Sequence, residues 1–200
     1  MPAALRDTTE EVTVTATVLD EHTALIVIDL QKGIVAQPMV HPTDVVVARA
    51  AQLAAAFRAH ALPVVLVTVH GGAPGRSEQT RNLADLPRDW DELAPGLLPQ
   101  AGDYRIGKRT WGAFTATGLE GLLRAHRVTQ VVIAGIATSI GVESTARQAH
   151  ELGFHVTLAC DAMTDFSAEA HDHSVKRIFP RLGETATTDE IVALLARRAQ

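Results

Sequence analysis

An aspartate directly after a run as apolar as ALIVI, Ala24 to Ile28, is an ionisable group at the end of a buried segment. Desolvation there raises its pKa and a nearby lysine lowers it. Lys108, in IGKRTWGAF, is the lysine that could do so, and Asp29 with Lys108 would make an acid/base unit. Both residues also have plainer readings, Asp29 as the cap of a following turn and Lys108 as a solvated surface lysine. His70, ahead of Gly71 and Gly72, reads as an acid/base or ligand group or as a hydrogen-bonding loop residue. No short Asp/His cluster accompanies it, so the expectation is no metal and no cofactor. Cys160 is the single cysteine, which excludes an internal disulfide and reads as a small buried hydrophobe or, less simply, as a nucleophile. His171 and His173 are two apart on a helical pattern and face different ways, so they do not share a metal.

The elements that would position these groups alternate between apolar, β-rich runs and helical patterns, the signature of βαβ units around a parallel sheet. Strands are expected at Ala24–Asp29, Pro63–His70, Gln130–Ile136, His155–Cys160 and Glu184–Thr187. Helices are expected at Thr43–Ala61, Leu119–His126, Val142–Leu152, Ser167–Phe179 and Asp189–Arg198, the last opened by a capping box of Thr187 and Glu190. Lys108 falls in a loop before the second of these helices. Val12–Val18 alternates like an exposed strand or an arm packed on another subunit, and Gly71–Gly102 reads as a long loop walling a site. In an open parallel sheet ligands bind beyond the carboxyl ends of the strands. Asp29, His70, the Ala137–Gly141 loop and the Cys160–Asp161 pair are the polar groups expected there.

With 200 residues, 46% hydrophobic and 20% charged, the chain can bury one sizeable core. A net charge of -5 with scattered basic residues argues against nucleic acid or an anionic membrane as partner. Apolar runs too short to span a bilayer, and an acidic start without a signal-peptide pattern, point to a cytoplasmic protein.

The segments ALIVIDLQKG, GKRTWGAF, AGIATSIGVESTAR and CDAMTDFSAEAH, in this order and spacing, resemble the isochorismatase-like hydrolase superfamily from Thr23 onward. The resemblance implies an α/β fold, a three-layer αβα sandwich with a central, mostly parallel sheet, as one domain over 23–200 behind an arm over 1–22. It implies the family's Asp at Asp29 and Lys at Lys108, and it puts Gly141 where most members carry a nucleophilic cysteine. A cis peptide would fall between Ile136 and Ala137, and the backbone N–H groups of Ala137 and Gly141 would form an anion pocket. Gln31, His70, Arg76, Gln79, Arg81, Arg109 and Trp111 are the candidate contacts of a small-molecule substrate, and a homodimer or larger homo-oligomer is implied. Nicotinamidases, ureidoacrylate and carbamoyl amidohydrolases of the family attack a carbonyl with the thiolate, and a glycine offers no atom for that. True isochorismatases resemble this chain in having glycine there, because an Asp general acid cleaves a vinyl ether without a covalent step. The alternatives are a catalytically silent member that binds a small anion or serves as an assembly subunit, and an amidohydrolase using another nucleophile.

Overall fold

The computed structural model describes residues 16–79 and 86–198. Six strands, β1 (Thr23–Ile28), β2 (Val64–Val69), β3 (Tyr104–Lys108), β4 (Gln130–Ile136), β5 (His155–Thr164) and β6 (Glu184–Ala186), form one sheet in the order β3-β2-β1-β4-β5-β6. Every pair is parallel. The helices are α1 (Lys32–Val35), α2 (Thr43–Ala59), α3 (Leu119–Ala125), α4 (Glu143–Glu151), α5 (Ala168–His173), α6 (Phe179–Leu182) and α7 (Thr188–Arg197).

The apolar runs of β1 and β4 are buried along their whole length because helices cover both faces of the sheet. Leu25 and Val27 join the core under α2 and α7, around Leu53, Phe57, Ile191 and Leu195. Ala24, Ile26 and Ile28 point the other way, to Leu119 and Leu123 of α3, Ala146 and Ala149 of α4, and Phe179 of α6. Fully buried Phe57 and Phe179 anchor the two layers, each contributing on the order of 2–3 kcal/mol through apolar burial. The Thr187–Glu190 capping box opens α7 as expected. The chain leaves β1 for β2 on one side and reaches β4 on the other, so the carboxyl ends of β1 and β4 flank the switch in strand order, where an open α/β sheet leaves its crevice.

Three expectations are corrected. Lys108 does not lie in a loop: YRIGK forms the edge strand β3, hydrogen-bonded to β2 with Val69 opposite Lys108. Its glycine, its charges and its half-exposed face hid it, since an edge strand need not be apolar. The fourth expected strand does not end at Cys160. The register against β4 jumps from Ile133–Leu158 to Gly135–Met163, and the bulged β5 runs on to Thr164. Cys160 and Asp161 therefore lie mid-strand, and Asp165 takes the strand-end position. Finally, the expected helix over 167–179 is α5, then a π-helical turn at Ser174–Ile178 and the start of α6.

Of the alternating segment Val12–Val18, residues 12–15 lie outside the described residues, and so does Arg81. Residues 16–19 pack on their own chain: Ala16 and Leu19 enter the core beside α2, and Glu184 accepts from the N–H and hydroxyl of Thr17 at 3.0 and 2.6 Å. Among the described residues of 71–102 the regular structure is a 3₁₀ turn at Pro95–Leu97 and a single bridge between Gln31 and Leu93. No helix among the described residues is long and apolar enough to cross a membrane.

Candidate active site

Asp29 follows β1 in the left-handed backbone region, with φ of 52°, a conformation aspartate tolerates better than most side chains. Lys108 reaches it from β3 across the end of β2. Its Nζ donates to Asp29 Oδ2 at 2.7 Å and to the Thr110 carbonyl at 3.0 Å. Both residues are buried, Asp29 6% and Lys108 3% exposed. Burial pushes the Asp29 carboxyl from its ordinary 3.8 up to about 6, against the opposing pull of the Lys108 ammonium and, more weakly, His70. The second oxygen, Oδ1, is buried and has no hydrogen-bond partner among the described residues. A carboxyl group with one oxygen held by an ammonium and the other bare can keep a proton near neutral pH and deliver it from Oδ1.

Against this pair β4 brings the segment Ala137–Val142. Gly135, with φ of 124°, permits the approach: a Cβ there would lie 2.1 Å from the Ile28 carbonyl oxygen. The Ile136–Ala137 peptide is cis, at the position the resemblance implied, and Thr138–Val142 is a π-helical turn leading into α4. Gly141 is the point of contact. A Cβ on it would lie 2.9 Å from Ile28 Cγ2 and 3.2 Å from Asp29 Oδ2, so a side chain there would be seated directly against the carboxylate.

Residues not singled out as site residues beforehand hold this turn from behind. Asp165 Oδ2 accepts the Ser139 N–H at 2.6 Å, and its Oδ1 accepts those of Phe166 and Ser167 at 2.8 and 3.3 Å. Thr138 Oγ1 lies 2.9 Å from Nδ1 of buried His171, whose ring meets that of His41 edge-on at 4.7 Å. Burial, and after it the neighbouring His41, hold His171 below the usual histidine pKa, which keeps it neutral. The signal for Asp165 was the DFS of the fourth motif, at a position that only the full length of β5 turns into a strand end.

Residues 23–190 match the isochorismatase domain. The chain belongs to the isochorismatase family. It is 42% identical over 179 residues to the isochorismatase family protein YwoC of Bacillus subtilis, covering 86% of this chain and 93% of that one. An isochorismatase family structure from Burkholderia thailandensis superposes with a TM-score of 0.85 at 39% identity, over 92% of this chain and 100% of that chain. The ureidoacrylate amidohydrolase RutB of Methylobacterium radiotolerans is 32% identical over 157 residues, 68% of this chain and 59% of that protein.

Around the Asp29–Lys108 pair of this family member the other expected contacts separate. Gln31 is fully buried, and its amide is engaged by backbone: Nε2 donates to the Val69 and Asp91 carbonyls at 3.0 and 3.1 Å, and Oε1 accepts the Val69 N–H at 2.7 Å. It thus ties β1 to β2 and to the 86–94 segment rather than facing a ligand. His70 stands at the rim with Nδ1 2.9 Å from Asp91 Oδ2 and Nε2 2.8 Å from Thr68 Oγ1. Since a carboxylate only accepts, Nδ1 carries the proton there. Arg76, Gln79, Arg109 and Trp111 are exposed, Trp111 by 66%. Burial pushes the Cys160 thiol up to about 12, and Asp161 instead caps α7 by accepting from the Thr188 N–H at 2.7 Å. Among the described residues no three His, Cys, Asp or Glu side chains converge as a metal site. Two cavities of about 420 and 380 Å³ open near the amino ends of the strands, one by Val64 and Tyr104 and the other by Gln130 and His155, away from Asp29.

Proposed function

We propose that the chain is a hydrolase of the isochorismatase family that works without a cysteine nucleophile and cleaves the vinyl ether of a small carboxylate such as isochorismate. The observation that carries this reading is the Asp29 carboxyl, raised to about 6, with Oδ1 bare and the space beside Oδ2 closed by Gly141 rather than filled by a thiol. Protonated Asp29 gives its proton to the terminal methylene carbon, and the alkene electron pair becomes the new C–H bond. The oxocarbenium ion left behind is captured by water, whose proton returns to Asp29. The hemiketal then collapses, its hydroxyl becoming the new carbonyl and passing its proton to the departing oxygen as the C–O bond breaks, to release an alcohol and, from isochorismate, pyruvate. Lys108 keeps Asp29 in place and stabilises the carboxylate formed when the proton leaves. The N–H groups of Ala137 and Gly141 serve the substrate's negative charge.

The amidohydrolase activity in the name of the RutB relative needs an attacking atom. The one thiol, Cys160, is a poor source, because a pKa near 12 leaves almost no thiolate and it sits in the middle of β5. An assay with isochorismate, nicotinamide and simple amides, followed by intact-protein mass spectrometry, tests the reading. Pyruvate should form from isochorismate with no acyl adduct on the protein. Turnover of amides without pyruvate release would overturn it.

A further inference from the structure

Lys108 is not the cation that would receive a substrate's carboxylate, since it is buried and already donates to Asp29 and to the Thr110 carbonyl. The next residue, Arg109, is exposed, as alternation at the end of a strand requires. Its guanidinium lies against the backbone of Gly71: a Cβ at that position would meet Nη2, Cζ and Nε at 3.1, 3.3 and 3.4 Å. Three nearly equal distances mean that the planar group presents its face to the glycine. Gly71 lies just beyond β2, the strand between β3 and β1, so the side chain reaches from the edge strand over the end of β2, about one strand spacing, roughly 4.8 Å. The His70 ring is laid in the same manner on Gly107 of β3, where a Cβ would come 3.0 Å from Cδ2 and 3.2 Å from Nε2. Among the described residues Arg109 has no ion-pair or hydrogen-bond partner. A guanidinium seated on bare backbone at the ligand-binding edge of the sheet, with its N–H groups uncommitted among the described residues, has the fork that a carboxylate matches with two hydrogen bonds.

We propose that Arg109 is the cationic part of this active site's anion subsite, holding the substrate's carboxylate together with the N–H groups of Ala137 and Gly141 while Asp29 protonates the other end, and that it sets the preference for carboxylates over their neutral esters. The kinetic part rests on the vinyl-ether reading; the binding part does not. The probes are 2-methoxyacrylate and its methyl ester, followed by formation of pyruvate and methyl pyruvate, and the saturated 2-methoxypropanoate, whose binding is measured by calorimetry. Arg109→Gln should lower the acid-over-ester preference in kcat/KM by roughly 10- to 100-fold, mostly through KM, because the contact is made equally in ground and transition states. It should weaken 2-methoxypropanoate by a similar factor. Gly71→Val, which unseats the guanidinium without removing its charge, should move both readouts the same way. Arg105→Gln, an equal loss of charge from the exposed start of β3, should move neither. If the wild type turned over neither ether, the proposed reaction would fall, and the calorimetry would still decide the subsite. An unchanged preference or an unchanged 2-methoxypropanoate affinity in Arg109→Gln, an equal effect in Arg105→Gln, or no binding to the wild type would overturn the proposal.

Discussion

Replacing Lys108 with methionine separates the two forces that set the acidity of Asp29. Burial raises the carboxyl and Lys108 opposes it, with a net result of about 6 against an ordinary 3.8. Methionine keeps the buried volume and removes the charge, so burial is then opposed only by the weaker pull of His70. An opposite charge at hydrogen-bond distance, here 2.7 Å, holds a carboxyl down by about 1–3 pKa units, so in Lys108→Met the group should titrate at about 7–9. If protonated Asp29 is the active form, kcat/KM for the wild type nears its plateau at about pH 5, is halved at about pH 6 and keeps falling as pH rises, with about a tenth of the protein protonated at pH 7. In the variant that descending limb moves up by the same 1–3 units, while the plateau drops because Lys108 no longer stabilises the carboxylate formed in the reaction. Measuring kcat/KM between pH 5 and 10, with circular dichroism at each pH to confirm folding, reads the shift directly. A limb that stays near 6 would show that another group titrates. Activity that rises with pH would show that the carboxylate is the active form and that the general-acid mechanism is wrong.

Other outcomes follow from the same contacts. Asp29→Asn keeps shape and removes the transferable proton, so turnover should fall by about 10²- to 10⁴-fold with far smaller change in substrate affinity; full activity would exclude Asp29 as the acid. Because the folded pKa of Asp29 is raised, its contribution to stability is greatest below about pH 4 and is lost as pH rises through 6. Urea titrations should therefore show wild type losing about 2.4 kcal/mol relative to Asp29→Asn between pH 4 and 7, and a flat difference would contradict the raised pKa. Gly141→Cys must push its Cβ against Ile28 Cγ2 and Asp29 Oδ2, which should cost about 1–3 kcal/mol in denaturant titration and slow ether cleavage; an unperturbed, equally active variant would mean that the space is not closed. Cys160→Ala should turn over at the wild-type rate, and its inactivation with the fold intact would restore a thiol mechanism.

The strands β1, β2 and β4 are legible in the sequence because helices cover both faces of the sheet, and burial on both sides demands the continuous apolar runs ALIVI, VVLV and QVVIAGI. Asp29 is legible for the same reason, as a charge where such a run ends. The sequence also carries the order of motifs that marks the family. It does not show that YRIGK is a strand, because an edge strand is half solvated and has no need of an apolar pattern. Nor does it show the bulge that carries β5 past Cys160 and makes Asp165 the residue behind the Ala137–Val142 turn. Gln31, a candidate substrate contact, closes its amide on the backbone of two segments distant in sequence. Local pattern reports how much of a segment is buried, which is a property of that segment. The meeting of Asp29 with Lys108, and of both with Gly141, depends on which strands lie side by side and in what register, and only the folded sheet determines that.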